Sequence, residues 1–389
     1  MAHEDHDAIY DLLAARGVSR RDFLKYCGSI AALLGLSQSF VPEIARAVNQ
    51  AARLQPAVWL HGGACTGCTE SMAQLGTPDI ATVVLDILSL EFADTLSMAQ
   101  GEDALAAAEA VFEREGEYIL IYEGAVMKGF EGNALRVGGM TGLYELEHAA
   151  PGAAAIVAVG SCAVDGGFVM ANPNPADATG VQAYLEEKGI DTPVINLPTC
   201  PMNPDWVVAV IVDVLLLGSL ETGAILDKLD RFNRPKYIFS QTIHDNCPRR
   251  GHFENGNFVT EFGTEEEAKG YCLYKVGCKG PQTYTNCPIV RWNRKVSWCV
   301  ESGAPCIGCG SLDWVDVGAP FLNRHRDLPL PNIGNTQPST IAGVVAGVAA
   351  AGLAVHGIGM KATGRTSGGA PYEEMKERDR KRMKKGGGE

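Results

Sequence analysis

The sequence predicts an α/β domain with a parallel, doubly wound sheet, then a cysteine-rich domain with little regular structure, then one apolar helix. From Pro56 to about Leu220, short β-branched runs alternate with helix-forming stretches, as in repeated βα units. Between His244 and Cys309, seven of the twelve cysteines lie among Gly and Pro without a sustained apolar period. Residues 341–360 carry no formal charge and are rich in Ala, Gly and Val.

Composition sets limits on the class of protein. A chain of 389 residues, 46% of them hydrophobic, is long enough to bury a sizeable core and to form two domains with extensions. The net charge of −13 argues against a general nucleic-acid binder.

The amino-terminal residues are predicted to be a twin-arginine signal peptide over 1–47. The Arg pair lies in Ser-Arg-Arg-Asp-Phe-Leu-Lys at 19–25, and a modest apolar run at 30–36 and a small-residue cleavage site at 45–47 follow. The alternative is an amphipathic helix with a chance Arg pair. Cys27 lies inside this segment and is therefore left out of the ligand count.

The strands of the predicted sheet are short β-branched runs, and helix formers fill the stretches between them. The predicted strands are Ala57–Leu60, Thr82–Leu88, Tyr118–Tyr122, Ala155–Val159 and Val194–Leu197. The clearest helical stretches are Thr95–Glu115 and Ala178–Lys188.

Four cysteines follow the carboxyl ends of predicted strands. Cys65 and Cys68 follow the first strand, Cys162 the fourth and Cys200 the fifth. Because ligands of open α/β sheets bind at that edge, these four thiols are expected to form one site. The alternative is that they are buried structural cysteines. Glu123 follows the third strand at the same edge, where it either supports a ligand or a proton path, or is a solvated or capping residue.

A second group of donors lies downstream. Its members are His244, Cys247, Cys272, Cys278, Cys287, Cys299, Cys306 and Cys309. Eight donors suffice for two four-ligand sites, and the spacing fits structural zinc as well as iron–sulfur clusters. Disulfides are the alternative in an exported protein, although the twin-arginine route carries proteins already folded around a cofactor.

Six motifs together resemble the small subunit of membrane-bound, exported [NiFe]-hydrogenases over nearly the full chain. They are C-T-G-C-T-E-S at 65–71, G-S-C-A at 160–163, P-T-C-P-M-N-P at 198–204, I-H-D-N-C-P-R-R-G-H-F at 243–253, Y-C-L-Y-K-V-G-C-K-G-P at 271–281 and P-C-I-G-C at 305–309.

The resemblance implies a flavodoxin-like sheet domain and three iron–sulfur clusters in a row. The implied ligands of the proximal [4Fe–4S] cluster, here the proximal set, are Cys65, Cys68, Cys162 and Cys200. The distal set, for a [4Fe–4S] cluster, is His244, Cys247, Cys272 and Cys278. The medial set is Cys287, Cys306 and Cys309, with Cys299 as its expected fourth member.

Cys299 departs from the family pattern. Many members have Pro at this position and a medial [3Fe–4S] cluster, so a fourth thiolate here predicts a medial [4Fe–4S] cluster. The alternative is a spectator Cys299 beside a [3Fe–4S] cluster. Oxygen-tolerant relatives carry two extra cysteines where this chain has Gly67 and Gly167, so the resemblance implies an ordinary proximal cluster and oxygen sensitivity.

The resemblance also implies the function. The chain is expected to carry electrons from H2 oxidation at the nickel–iron site of an obligate large subunit to a membrane acceptor, such as a cytochrome b, a quinone-linked subunit or a ferredoxin-like partner. No nickel and no catalytic residue are assigned to this chain. The rival classes are a quinone-reductase subunit, which resembles the first domain alone, and a zinc protein.

The resulting organisation places the globular part outside the cytoplasm. The basic tail is expected to stay in the cytoplasm, although the apolar helix could instead pack on protein. The predicted segments are a signal peptide at 1–47, a flavodoxin-like domain at 48–222, a medial and distal cluster domain at 223–325, a linker at 326–338, a transmembrane helix at 339–360 and a tail at 361–389.

Overall fold

The chain divides into two units, Met1–His325 and Arg326–Glu389. The computed structural model describes residues 19–33, 37–42, 44–45, 55–76, 79–83, 88–217, 224–323, 328–330, 334–336, 338–363, 374, 376–378 and 380–381.

The main sheet of the described residues is parallel throughout, in the order β2-β1-β3-β4-β5. Its strands are β1 Gln55–His61, β2 Leu88–Ala93, β3 Ile119–Glu123, β4 Ala155–Val159 and β5 Val194–Leu197. This is the flavodoxin-like order. Strand β2 is added on one side of β1, and β3, β4 and β5 are added on the other side, so the strand order reverses between β1 and β3. The predicted fold class is therefore confirmed.

Four of the five strand predictions agree with the structure within a few residues, and the second is wrong. Residues predicted to begin that strand are helical at Ile80–Thr82, and β2 runs over Leu88–Ala93 instead. Strand β2 lies at the sheet edge, and its sequence L-S-L-E-F-A mostly alternates apolar and polar residues. The β-branched run before it has the continuous apolar pattern of a central strand, which explains the wrong prediction.

Helices cover both faces of the sheet, and two apolar clusters fill the space between. Trp59 of β1 packs in one cluster with Trp206, and Leu60 packs in the other with Leu146. Alternate side chains of a strand point to opposite faces, so one strand serves both cores.

The α-helices of the described residues, taken in chain order, are mostly short outside the sheet domain. They are α1 Arg20–Leu33, α2 Gly67–Met72, α3 Ile80–Thr82, α4 Glu102–Phe112, α5 Gly142–Ala149, α6 Gly160–Asp165, α7 Gly167–Met170, α8 Val181–Lys188, α9 Pro204–Leu217, α10 Ala224–Asp227, α11 Lys236–Phe239, α12 Arg250–Glu254, α13 Glu265–Ala268, α14 Cys287–Val290, α15 Trp314–Gly318 and α16 Pro338–Ala362. The 3-10 helices are Gln38–Phe40, Ile243–Asn246, Leu273–Val276 and Gly280–Gln282. Short strand pairs join Val126–Met127 to Ala178–Thr179 and Arg136–Val137 to Met140–Thr141.

Helix α1 lies in the predicted signal peptide. Its apolar residues Phe23, Cys27 and Ile30 are buried in the same cluster as Trp59. The segment thus forms an amphipathic helix, and export and cleavage stay predictions. The Arg pair is at its amino-terminal end.

The region 224–323 has the sparse regular structure that the sequence predicts. Its longest described helices, α12 and α15, span five residues each. Few backbone hydrogen bonds of this region belong to long helices or sheets, so its shape depends on turns and side chains.

The second unit contains α16 and a short hairpin. Leu328–Leu330 pairs antiparallel with Gly334–Thr336, so the predicted linker includes local structure. Within α16, Thr340–Ala362 has a hydropathy of 2.0 and is long and apolar enough to cross a membrane.

Candidate metal centres

The proximal set comes together at the carboxyl edge of the sheet. Cys65 lies two residues before α2 and Cys68 lies in its first turn, while Cys162 lies in α6 after β4. Cys200 follows β5. Gly160 begins α6 with a φ of 85°, and a Cβ there would lie 2.5 Å from Cys68 Sγ. Only glycine therefore allows β4 to bring Cys162 this close to Cys68.

The proximal thiols influence one another electrostatically. Burial, the nearby Glu123 carboxylate and the other thiols raise the pKa of Cys68 well above its usual range. Burial also raises the pKa of Cys162, with Cys65 adding to the rise. The backbone N–H of Met202 lies 3.5 Å from Cys68 Sγ. Thiols that burial keeps protonated are held as thiolates when cationic iron binds them, and N–H donors assist this.

Glu123 contacts the backbone of the segment that carries Cys68 of the proximal set. The residue is 2% exposed, and its Oε1 accepts the backbone N–H of Cys68 at 3.0 Å. Its Oε2 accepts the N–H and the hydroxyl of Thr69, at 2.9 and 2.6 Å, and lies 3.3 Å from Trp59 Nε1. Glu123 thus contacts the backbone at Cys68 and Thr69, and its role in supporting a ligand or a proton path stays a prediction. Sequence reasoning did not anticipate Trp59, Thr69 or the His61 contact described below.

The medial set lines one cavity. Its four thiols and Cys200 border a space of about 310 Å³. Burial raises the pKa of Cys287 to about 12, and the Thr285 hydroxyl donates to Cys287 Sγ at 3.0 Å. Cys299 is exposed, yet it borders this cavity. The medial thiols that line the cavity are Cys287, Cys299, Cys306 and Cys309.

The distal set lies among turns of the second region. Burial raises the pKa of Cys272 to about 11, and Cys278 and Cys247 contribute to the rise. The His244 ring is 4.6 Å from the Phe253 ring, edge to face. Burial and the Arg250 charge lower the pKa of His244, so its imidazole is neutral and its ring nitrogens can coordinate metal.

Four cysteines of the distal and medial sets each lie in a turn of the same kind. In each case the backbone N–H two residues later points at the sulfur, which lowers the pKa that burial raises. The pairs are Cys247 with Arg249, Cys272 with Tyr274, Cys278 with Gly280 and Cys306 with Gly308. Such donors stabilise thiolate charge and tune the potential of a bound cluster.

The three sets adjoin one another in the order proximal, medial, distal. The backbone N–H of Cys200, a proximal residue, points at the Cys309 sulfur. The backbone N–H of Cys306, a medial residue, points at the Cys278 sulfur of the distal set. Cys200 and Cys309 lie far apart in the sequence, and the fold makes them neighbours.

The donors fit iron–sulfur groups. All twelve cysteines are free thiols, so no pair is consumed in a disulfide. Within the described ranges, no three His, Cys, Asp or Glu side chains are placed to hold a single metal ion. A cavity of about 310 Å³ lined by the four medial thiols and Cys200 suits a group larger than one ion.

The comparisons with known proteins cover both domains. The family profile for the carboxy-terminal part of the NiFe/NiFeSe hydrogenase small subunit matches residues 239–322, and that of the NADH ubiquinone oxidoreductase, 20 Kd subunit, matches residues 65–214. The chain is 39% identical to the quinone-reactive Ni/Fe-hydrogenase small chain of Wolinella succinogenes, over 89% of this chain and 97% of that one. It is 40% identical to the uptake hydrogenase small subunit of Azotobacter vinelandii, over 90% and 94%.

The fold matches solved structures in the same way. The [NiFeSe] hydrogenase from Desulfovibrio vulgaris Hildenborough superposes with a TM-score of 0.65 and 35% sequence identity, covering 69% of this chain and 98% of that one. The two family profiles together span the carboxyl edge of the sheet that carries the proximal set, called the proximal edge below, and the region of the medial and distal sets.

Proposed function

The chain belongs to the small-subunit family of [NiFe]-hydrogenases, and we propose that it carries electrons from the large subunit's nickel–iron site to a quinone-linked acceptor in the membrane. Electron transfer as partner of the large subunit follows from the family. The quinone-linked acceptor follows the name of the Wolinella relative and the apolar helix α16.

The proximal, medial and distal sets are proposed to hold three iron–sulfur clusters. Such clusters accept and release one electron at a time. The observation that supports this assignment most is the adjacency of the sets, through Cys200 with Cys309 and Cys306 with Cys278. The chain's own task is to hold thiolates, exclude water and aim N–H donors at sulfur.

Cys299 is proposed to be a fourth medial ligand, which makes the medial cluster [4Fe–4S]. It lines the same cavity as Cys287, and it lies close enough for its charge to add to the rise that burial causes in the pKa of Cys287. Its exposure suits a ligand at the cavity mouth. The alternative, a [3Fe–4S] cluster, leaves Cys299 as a free thiol at that mouth.

Export by the twin-arginine route and anchoring by α16 complete the proposal. The Arg pair begins α1, and the positive charges after α16 favour a cytoplasmic tail. The globular part then lies outside the cytoplasm, where the exposed thiols Cys65 and Cys200 are covered by the large subunit.

Iron analysis of matched cysteine variants tests the ligand assignment. Cys306→Ser should lower the iron and sulfide content of the membrane-extracted complex, since Cys306 is a medial ligand. Val300→Ala is the matched control, because Val300 is buried like Cys306, lies in the same region and has no metal-donor atom in its side chain. Equal iron loss in both variants, or no loss in either, contradicts the assignment.

A further inference from the structure

A histidine between two carboxylates lies directly behind the proximal set. His61 ends β1, Asp94 follows β2 and Glu123 ends β3. Because the sheet order is β2-β1-β3, these three residues become neighbours at the carboxyl edge. They are called the His61 network below.

Both ring nitrogens of His61 face carboxylates. Nδ1 lies 3.2 Å from Asp94 Oδ2, and Nε2 lies 3.3 Å from Glu123 Oε2. The His61 backbone N–H also donates to Asp94 Oδ2, at 2.9 Å. Nε2 is 3.0 Å from the Thr69 hydroxyl, which donates onward to Glu123. Neither ring nitrogen points to open water, since His61 is 8% exposed.

The charges of the network support an imidazolium. Burial lowers the pKa of His61, but the hydrogen bonds to Asp94 and Glu123 outweigh it and raise the pKa to about 9. For Glu123, burial favours the neutral acid, and the His61 and Thr69 hydrogen bonds outweigh it and lower its pKa. Glu145, the other acid that acts on this group, has its pKa raised by burial to about 7.

The network is coupled to a ligand through backbone. Glu123 accepts the N–H groups of Cys68 and Thr69, so its position fixes the turn that carries the Cys68 sulfur. A carboxylate held there also places negative charge beside the site, which opposes the uptake of an electron. His61, on the far side of Glu123, offsets that charge.

We propose that His61, clamped by Asp94, is a positioning residue that holds Glu123 against the Cys68–Thr69 backbone and sets the reduction potential of the proximal cluster. The inference rests on the proposed function, in which Cys68 is a proximal ligand. The other two sets lie outside the contacts of the network, so we expect its effect on their potentials to be small.

The test is a potentiometric titration of the purified complex, followed by electron paramagnetic resonance. The proximal signal is the one that Cys162→Ser removes. His61→Gln keeps an N–H donor and loses the positive charge, so the proximal potential should fall. Asp94→Asn removes a negative charge, so the potential should rise. The double variant should return toward the parent value, while the medial and distal potentials change little.

The control is His148→Gln, because His148 is an exposed histidine paired with the Glu109 carboxylate at 2.8 Å. It should leave all three potentials unchanged. Shifts of the same sign in His61→Gln and Asp94→Asn, or no shift in either with full iron content, overturn the inference. If His61→Gln does not assemble, Asp94→Asn decides alone. A parent complex without any signal that Cys162→Ser removes is a failure of the proposed function instead.

Discussion

The proximal edge and the region 224–323 hold their thiols by different means. The proximal thiols follow strands of a sheet with an apolar cluster on each face, whereas the longest described helices of 224–323 span five residues. We therefore expect the sheet to hold its cysteines in place without bound metal. In the second region a bound group is expected to contribute much of the folding free energy.

Backbone geometry around the cysteines shows the same difference. At the proximal edge, β1 and β4 bring the segments that follow them together, and Gly160 allows the start of α6 to lie close to Cys68. Around the distal set, the donors are N–H groups two residues after each cysteine, so each cysteine carries its own local turn. Local turns without long elements are marginal in isolation, which leaves this region dependent on its ligands.

The largest predicted effect is the response to iron removal. Chelation under reducing conditions should accelerate amide exchange by about ten-thousandfold or more across 224–323, because the turns lose the group that holds them together. Exchange in β3 and β4 should change little. Hydrogen exchange read by mass spectrometry measures both regions in one sample. Equal loss of protection in the sheet contradicts the comparison.

A smaller effect is predicted for an ion pair that joins a buried carboxylate of the sheet domain to a half-buried lysine at the start of the region 224–323. The Asp213 side chain is fully buried and binds Lys228. Lys228→Met removes the cation beside that buried carboxylate, which should cost about 3–5 kcal/mol of unfolding free energy.

The control for this ion pair is Lys269→Met, which breaks the exposed Lys269–Glu265 pair in the second region. It should change the stability by less than about 1 kcal/mol. Denaturant unfolding followed by tryptophan fluorescence compares the two variants. Equal effects would show that the buried pair adds nothing special to the sheet domain.

The next largest predicted effect is a loss of stability at alkaline pH, which comes from His61 at the proximal edge. Burial lowers the pKa of His61, but Asp94 and Glu123 outweigh burial and raise it from 6.5 to about 9, with Glu145 nearby. The stabilisation is therefore complete below pH 6.5 and is lost as the pH rises through about 9. Its size is on the order of 3 kcal/mol, since one pKa unit corresponds to about 1.4 kcal/mol.

Thermal unfolding between pH 6 and 9.5 measures this loss, and His61→Gln is the comparison. The variant should be less stable at pH 6 and should show a flatter pH profile over the same window. A parallel profile in parent and variant would place the pH dependence elsewhere.

The smallest predicted effect concerns a single hydroxyl in the medial cavity. Thr285→Val removes the donor to Cys287 Sγ while keeping the side-chain shape. The medial potential should fall slightly, in proportion to a hydrogen bond of about 1 kcal/mol. Thr283→Val is a milder comparison, because its hydroxyl lies 3.9 Å from Cys306 Sγ. Potentiometric titration ranks the two variants.

Most of the sheet could be predicted from the sequence, because β4 and β5 are buried apolar runs with clear bounds. Strand β2 could not, since an edge strand needs apolar residues on one face alone. The convergence of four thiols at one edge followed from strand ends. The residues that contact these thiols could not be predicted, because long-range contacts leave no local pattern in the sequence.

The His61 network illustrates what sequence reasoning cannot reach. His61 and Asp94 lie 33 positions apart, and only the pairing of β1 with β2 brings them together. The signal in the sequence was a polar residue ending a buried strand, which a cap or a solvated residue explains equally well. The adjacency of Cys200 and Cys309 likewise depends on how the second region packs on the sheet.

Metal and sulfide analysis of the membrane-extracted complex, joined to resonance spectra of its oxidised and reduced forms, tests the three-cluster assignment without intermediate steps. We predict about twelve irons per chain, matching sulfide, a nickel-bearing partner and little [3Fe–4S] signal. About eleven irons with a strong [3Fe–4S] signal would contradict the assignment of Cys299. Zinc without iron would contradict the iron–sulfur assignment as a whole.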